Sequence, residues 1–543
     1  MSRLPAMRPP ATILLVLVAI AAVAVSAAPA PADSCTLLAN SIELRSLPNT
    51  TMTSAETVSG DFTPPGGGAA IRGLPSFCRV AVTLKPTPVS DIKIEVWMPA
   101  QNWNQKMQGV GNGGLAGTIS YGALASAVAK GYAAVSTDTG HVVSDDSWLP
   151  VIEREKDYGY RAIHEMTVTA KAIVEKFYGK AARRSYFNGC STGGGQGFGE
   201  AQLYPADYDG IVAGAPQIFP TRLRAAHIWN FQAASNDPAS NLPKQTLTLV
   251  TAAVLKQCGG DHGVADGFLS EDPRACGFVP AQLLCKAGQD TGTCLSAAQV
   301  AAVVKIYGGL ADPRSKRTLW PGLAKGSEGP AGAGAMGWQA FGVGGPRPFV
   351  AAEKFYSLAV LENPQTDFQT IDAAGIIDLA EKKFPFLRHT STDLSGFTAR
   401  GGKLLIYHGW ADPGISSLNT IDYYGALVEA TRKEKHMSFP AALEQAQQSA
   451  RLFMVPGMGH CSGGPGPDNF DAVGALDQWV EQGAAPEKIV ASHQSNGAVE
   501  FSRPLCPFPQ EARYTGSGDR RDASNWACVA RQFTFDASFY GAR

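Results

Sequence analysis

Ser191 stands in Gly189-Cys190-Ser191-Thr192-Gly193, and His460 in Pro456-Gly457-Met458-Gly459-His460-Cys461. A serine hydroxyl becomes a useful nucleophile when a base sits within hydrogen-bond reach. If Ser191 and His460 form such a pair, their neighbours Cys190 and Cys461 are drawn towards the Cα separation that a disulfide requires. The bare G-x-S-x-G pattern is weak in a chain with 59 glycines among 543 residues, because chance supplies it often. Its surroundings strengthen it. Tyr186 and Phe187 read as the end of a buried strand, and Gly193, Gly194, Gly195 and Gly197 permit a tight turn into a segment running from Phe198 to Tyr204. Strand, sharp turn and helix is the setting that exposes a serine hydroxyl at the top of a sheet. The competing reading is a glycine-rich turn with a solvated serine.

On this fold the acid follows the serine and precedes the histidine. Lys403-Leu404-Leu405-Ile406-Tyr407-His408-Gly409 is a short apolar run closed by glycine, as in a buried parallel strand. Asp412 lies just past its end, where open α/β sheets carry functional groups. Leu452-Phe453-Met454-Val455 leads in the same way to His460. Asp412 would hold the imidazole in one tautomer and stabilise its charged form. It could instead be a turn residue before Pro413, and His460 a loop histidine. His408 is the rival base, but its place within a strand favours a packed imidazole.

An oxyanion hole needs two backbone donors. Thr192 supplies one, following the serine, and an early glycine-rich loop after a strand supplies the other. Met107-Gln108-Gly109-Val110-Gly111-Asn112-Gly113-Gly114-Leu115-Ala116-Gly117 fits, with Gly113 and Gly114 as donors. A phosphate-cradling loop is the alternative, but neither Gly-Lys-Ser/Thr nor G-x-G-x-x-G opening a helix is present.

Arg3 and Arg8 precede an apolar stretch from Ala11 to Val25, and small residues follow at Ser26, Ala27 and Ala28. That pattern predicts a signal peptide over residues 1–27 rather than a membrane anchor, since the run is short for a span. The mature chain is expected in the periplasm or outside the cell. Lysine and arginine number 46 against 47 acidic residues, which argues against a nucleic-acid partner or an anionic lipid surface. Ten cysteines in an exported chain suggest five disulfides. Spacing proposes Cys35–Cys78, Cys258–Cys276, Cys285–Cys294 and Cys506–Cys528. Cys190 and Cys461 remain, the pair that the catalytic reading brings together. An unpaired Cys190 buried behind the turn is the alternative.

These residues must be positioned by regular elements. Strand-like runs recur at Ile92 to Trp97, Ala133 to Thr137, Arg184 to Asn188, Gly210 to Ala215, Lys403 to His408, Arg451 to Val455 and Lys488 to Ser492. Helical periodicity lies between them, as at Arg161 to Phe177 and Phe470 to Glu481. The alternation predicts a doubly wound, mostly parallel α/β sheet. From about Gln217 to Ala399 the rhythm breaks, with four cysteines and scattered aromatics such as Trp229, Trp320, Trp338 and Phe341. A core in two parts, 28–217 and 400–543, is therefore expected around an inserted lid domain at 218–399. The core alone would supply nucleophile and oxyanion hole, leaving the lid to select substrates.

Taken together, these motifs resemble the tannase and feruloyl esterase family of α/β-hydrolases, which includes mono(2-hydroxyethyl) terephthalate hydrolase. The resemblance covers nearly the whole mature chain. It rests on Gly189 to Gly194, Gly210-Ile-Val-Ala-Gly-Ala-Pro216, Cys294-Leu-Ser-Ala-Ala-Gln299 and Tyr407-His-Gly-Trp-Ala-Asp412. It rests further on Pro456 to Cys461, Arg503-Pro-Leu-Cys506 and Gly516-Ser-Gly-Asp519. It implies Ser191, Asp412 and His460 as a triad, a disulfide between the flanking cysteines, and a lid that binds an aromatic acid. The implied substrates are small aromatic esters or plant cell-wall and polyphenol esters, among them feruloyl and galloyl esters. A terephthalate monoester hydrolase, a broad aryl esterase or peptidase, and a catalytically silent binding protein are the alternatives. The acyl group and the oligomeric state are not legible.

No catalytic cofactor is implied, but relatives carry a calcium loop of the form Cys-Asp-x-x-Asp-Gly-x-x-Asp-Gly in the lid. Here it reads Cys258-Gly259-Gly260-Asp261-His262-Gly263-Val264-Ala265-Asp266-Gly267-Phe268. Gly259 and His262 replace two carboxylates, while Asp266 and the backbone positions Val264 and Phe268 are kept and Asp261 is one residue out of register. Calcium takes about six to eight oxygen ligands. A weakened structural site at Asp261, Val264, Asp266 and Phe268 and its loss stand as alternatives.

Overall fold

The structure, a computed structural model, describes residues 33–259, 266–329, 336–536, 538 and 540. The leader expected at residues 1–27 lies outside the described residues. Among those described, no helix is long and apolar enough to cross a membrane.

Nine strands form the central sheet: β1 (Thr50–Phe62), β2 (Ile71–Leu84), β3 (Ile92–Pro99), β4 (Lys106–Val110), β5 (Ala133–Thr137), β6 (Arg184–Cys190), β7 (Gly210–Gly214), β8 (Lys403–Gly409) and β9 (Ala450–Val455). Their spatial order is β1-β2-β3-β5-β4-β6-β7-β8-β9. The six strands from β5 to β9 in that order run parallel. The first three are antiparallel, and β3 meets β5 antiparallel.

Strand side chains alternate between faces, and here both faces are apolar. Leu404 and Ile406 of β8, Ile211 and Ala213 of β7, and Phe187 of β6 pack on one side. Leu405, Val212 and Tyr186 pack on the other. Helices α2 (Ala162–Tyr178), α3 (Thr192–Leu203) and α5 (Ser417–Lys435) cover the first face through Ile163, Phe198 and Tyr424. Helices α1 (Tyr121–Ala129) and α6 (Ala472–Gln482) cover the second through Leu124, Val128, Leu476 and Trp479. A sheet buried on both faces explains the continuous apolar runs in its parallel strands.

One expected strand lies elsewhere. The run read at Lys488 to Ser492 forms Ile489–Ser495, paired antiparallel with Ala498–Leu505 in a separate hairpin. Only Ile489 and Ala491 of that strand are buried, so the run lacks the second apolar face that a central strand needs.

The insertion between β7 and β8 carries its own apolar cluster, built from residues between Ala233 and Val343. Cys258–Cys276 and Cys285–Cys294 staple it locally. Its helix Ala297–Gly308 starts at a capping box, with Ser296 accepting from the Gln299 N–H and the Gln299 side chain answering to the Ser296 N–H. A second cluster joins insertion to core. Phe219, Leu223, Phe231 and Phe355 from the insertion pack with Trp148, Tyr158 and Ile415 from the core. Near the insertion's ends, Ile218, Leu394 and Phe397 belong to the core cluster.

Candidate active site

The chain turns sharply after β6. Ser191 has φ 63° and ψ −122°, a conformation that costs a non-glycine residue on the order of 1–3 kcal/mol and persists only when its surroundings enforce it. Three backbone hydrogen bonds do so. The Ser191 N–H donates to the Gly214 carbonyl at 2.9 Å, and the Ser191 carbonyl accepts from Gly195 and Gln217, both at 3.0 Å. The crossing is too tight for side chains. A Cβ on Gly189 would sit 2.5 Å from the Gly193 carbonyl carbon, and one on Gly194 would sit 2.3 Å from the Gly214 oxygen.

His460 reaches Ser191 from the loop after β9, with Nε2 2.9 Å from the hydroxyl. Its Nδ1 lies 2.7 Å from Asp412 Oδ2. Asp412 follows β8 and is 1% exposed. Its Oδ1 accepts from the N–H groups of Gly414 at 2.8 Å and Ile415 at 2.9 Å. Nδ1 faces an acceptor-only carboxylate and so carries the proton, which leaves the Nε2 lone pair facing the serine. Burial pushes the Asp412 carboxyl up, but the His460 charge and hydrogen bonds from His408 and His460 hold it well below the usual carboxylate range. Burial pulls His460 down, but the charge and hydrogen bond of Asp412 outweigh it and raise the imidazole above its ordinary value. The result is an ionised acid beside a base whose protonated form is favoured.

His408 is not a second base. It is fully buried, with Nε2 3.1 Å from both Asp412 Oδ2 and the Ile415 carbonyl. Two acceptors at Nε2 require the proton there, and Nδ1 takes the Thr420 hydroxyl at 2.8 Å. Through Nε2 it donates to the acid.

Cys190 and Cys461 are bonded, with Cα atoms 5.9 Å apart. The other eight cysteines pair as spacing suggested, Cys35–Cys78, Cys258–Cys276, Cys285–Cys294 and Cys506–Cys528.

The loop after β4 is bound to the elbow. Asn112 O accepts from the Gly193 N–H at 2.8 Å, and the Asn112 N–H donates to Gln196 Oε1 at 3.1 Å. The Thr192 hydroxyl donates to the Gly114 carbonyl at 2.6 Å. Gly113, Gly114 and Thr192 all border the cavity above Ser191. That cavity measures about 510 Å³, and Leu223, Phe341, Phe349 and Ile415 make its walls apolar. A groove of about 580 Å³ near Thr392 and Leu427 is larger, but it holds neither the serine nor the imidazole. An apolar chamber with a few convergent polar groups is the usual form of a small-molecule site.

The sequence pointed to the insertion, and to Phe341 as one of its scattered aromatics, but not to the set of side chains that walls the cavity. Arg224, His227, Phe341 and Phe349 come from the insertion, and no motif marks them. Phe341 packs edge-on against His460, with ring centroids 5.6 Å apart.

The calcium loop is different. Asp261 and Val264 lie outside the described residues. Asp266 Oδ2 faces two guanidinium groups, Arg503 and Arg520, each at 3.7 Å. Phe268 is buried against Phe501. A carboxylate already flanked by two cations is poorly placed to hold a third. Among the described residues no group of three or more His, Cys, Asp or Glu side chains gathers to hold a metal. The residues present do not fit calcium.

A doubly wound sheet with a strained serine after one of its central strands, and an acid and a histidine after the second and third strands beyond it, defines an α/β-hydrolase. The family model for tannase and feruloyl esterase matches residues 78–529. The chain is 36% identical over 521 residues to an uncharacterized esterase of Xanthomonas campestris pv. campestris, covering 89% of this chain and 90% of that protein. It is 34% identical over 543 residues to mono(2-hydroxyethyl) terephthalate hydrolase of Piscinibacter sakaiensis, covering 87% of each. The crystal structure of feruloyl esterase B from Aspergillus oryzae matches with a TM-score of 0.82 at 29% identity, covering 91% of this chain and 100% of that one. The chain belongs to the tannase and feruloyl esterase family and is a carboxylic ester hydrolase. Esterases of this family need no catalytic cofactor.

Proposed function

We propose that the chain is an exported serine esterase that cleaves esters of aromatic hydroxy acids through an acyl-enzyme. The carrying observation is the continuous contact Ser191–His460–Asp412, at 2.9 and 2.7 Å, opening into an aromatic-walled cavity. Ser191 Oγ attacks the ester carbonyl while its proton passes to His460 Nε2, and Asp412 stabilises the imidazolium. The tetrahedral oxyanion is received by the N–H of Thr192 and those of Gly113 and Gly114. The C–O bond to the alcohol then breaks, and His460 returns the proton to the leaving oxygen. Water, deprotonated by the same imidazole, releases the acid.

The acid ring is placed against Phe341, Phe349, Leu223 and Ile415, so the insertion at 218–399 serves as a lid. Five disulfides support export, with residues 1–27 removed. The decisive test is mass spectrometry of enzyme quenched during turnover of methyl ferulate, alongside acetyl, galloyl and terephthaloyl esters. An acyl adduct on Ser191 with the feruloyl or galloyl ester is expected. Turnover with no adduct there, or turnover confined to acetyl esters, refutes the reading.

A further inference from the structure

Helix α4 (Pro220–Ser235) opens the insertion and places two buried polar side chains, Arg224 and His227, one turn apart. They are 1% and 4% exposed. Each reaches a core loop that carries catalytic groups. Arg224 Nη2 donates to the Tyr158 hydroxyl at 2.8 Å, and that hydroxyl donates to the Gly114 carbonyl at 3.2 Å. The same carbonyl takes the Thr192 hydroxyl at 2.6 Å. His227 Nε2 lies 2.9 Å from the Gly414 carbonyl. A carbonyl only accepts, so Nε2 carries the proton. The N–H of that same Gly414 donates to Asp412 Oδ1.

Burying a guanidinium is costly unless its donors are met. Here Nε and Nη1 have no partner among the described residues. Tyr158 therefore receives the one directed bond of a buried charge, with the Phe355 ring 4.4 Å beneath it and the buried Glu155 carboxyl within electrostatic reach. Tyr158 is 3% exposed, and little water competes for its hydroxyl. The Gly114 peptide is thus oriented by two hydroxyls, one of them fixed by the insertion.

We propose that Arg224, acting through Tyr158, and His227 are positioning residues: α4 holds the oxyanion loop at Gly114 and the acid loop at Gly414 in register with Ser191. This rests on the serine mechanism proposed above. It alters the division of labour expected from the sequence, because the insertion then serves the chemistry of every substrate and not only the choice among them.

The experiment compares Arg224→Met, Tyr158→Phe, their double variant and Arg224→Lys on p-nitrophenyl acetate and methyl ferulate. Active sites are titrated with a fluorophosphonate, so that kcat refers to folded, competent enzyme. Tyr158→Phe removes only the hydroxyl and keeps the packing. Loss of loop alignment should lower kcat about tenfold to a hundredfold on both esters, with KM within about twofold. The double variant should fall no further than the worse single one, since both changes cut one chain, and Arg224→Lys should recover part of the loss. A rise in KM for methyl ferulate with acetate turnover unchanged would make Arg224 a substrate contact and overturn the proposal. Additive losses in the double variant would overturn it too. Ser191→Ala separates the two readings. If that variant is inactive while Arg224→Met and Tyr158→Phe are normal, only the positioning fails; if it turns over normally, the mechanism beneath fails.

Discussion

The sheet and the insertion solve different physical problems. In the sheet, position follows from strand order. Ser191, Asp412 and His460 all leave the carboxyl ends of parallel strands, β6, β8 and β9, or the loops just beyond them, with β7 lying between the first two. In the insertion the one ladder among the described residues joins only Leu310–Ala311 to Thr318–Trp320, and helices are held mainly by an apolar cluster and two local disulfides. The disulfide in the core differs in kind. Cys190–Cys461 spans 271 residues and joins the loops that carry Ser191 and His460, whereas Cys258–Cys276 spans 18 within the insertion. A cross-link limits both unfolded-state freedom and native drift, and which matters more depends on what lies beside it.

The largest effect should come from the core. Ser191→Ala is expected to lower kcat at least about ten-thousandfold with the fold intact, and Asp412→Asn nearly as far through a mis-set tautomer. Steady-state kinetics beside circular dichroism checks both, and no single change in the insertion should match them. Asp412→Asn turning over normally would hand the acid's role to another carboxylate.

The disulfides sharpen the contrast next. Replacing Cys190 and Cys461 together by alanine should lower kcat about a hundredfold, since a misplacement of about 1 Å costs that much. Replacing Cys258 and Cys276 should leave kcat within about threefold and cost roughly 3 kcal/mol of stability, read from denaturant unfolding. If both pairs behave alike, the core disulfide is only a staple.

Phe349→Ala in the cavity wall should raise KM for methyl ferulate about tenfold and leave p-nitrophenyl acetate within about twofold, because a small acyl group does not need that wall. Equal losses on both esters would deny the insertion its part in selection.

The smallest effect is in pH. His460 must be neutral to take the serine proton, so kcat/KM rises with pH through the imidazole pKa. Asp412 raises that pKa above the ordinary 6.5, and the acid limb should fall on the alkaline side of that value. Asp412→Asn removes the raising charge while burial still pulls down, so its residual activity should show an acid limb at lower pH. An unchanged limb would mean that the profile reports another group.

Much of the core was legible. Ala133–Thr137 was read to the residue, and the runs at Arg184, Gly210, Lys403 and Arg451 lie on β6 to β9. β1, β2 and β4 were missed as strands. β1 is rich in Thr and Ser and mixes exposed with half-buried positions along nearly its whole length, β2 is interrupted by Gly73 and Pro75, and most of β4 was read as part of the glycine-rich loop that follows it. A strand with one wet face, or with glycine and proline inside it, carries no continuous apolar run to find. Asp412 and His460 were found because each follows a short apolar strand, and His408 was read as packed because it lies within one. That it donates to Asp412 was not visible.

What the sequence determined by itself is local or repeated. Glycines permit a turn at Ser191, continuous apolar runs mark the buried strands, and cysteine counting leaves Cys190 to Cys461. What only the tertiary structure decided is contact across distance. Phe341 meets His460, and His227 meets Gly414 across 187 residues. An insertion whose described ladder is only Leu310–Ala311 with Thr318–Trp320 leaves little register in its sequence. Where its side chains meet the core depends on how the whole apolar cluster closes, and that is a property of packing in three dimensions.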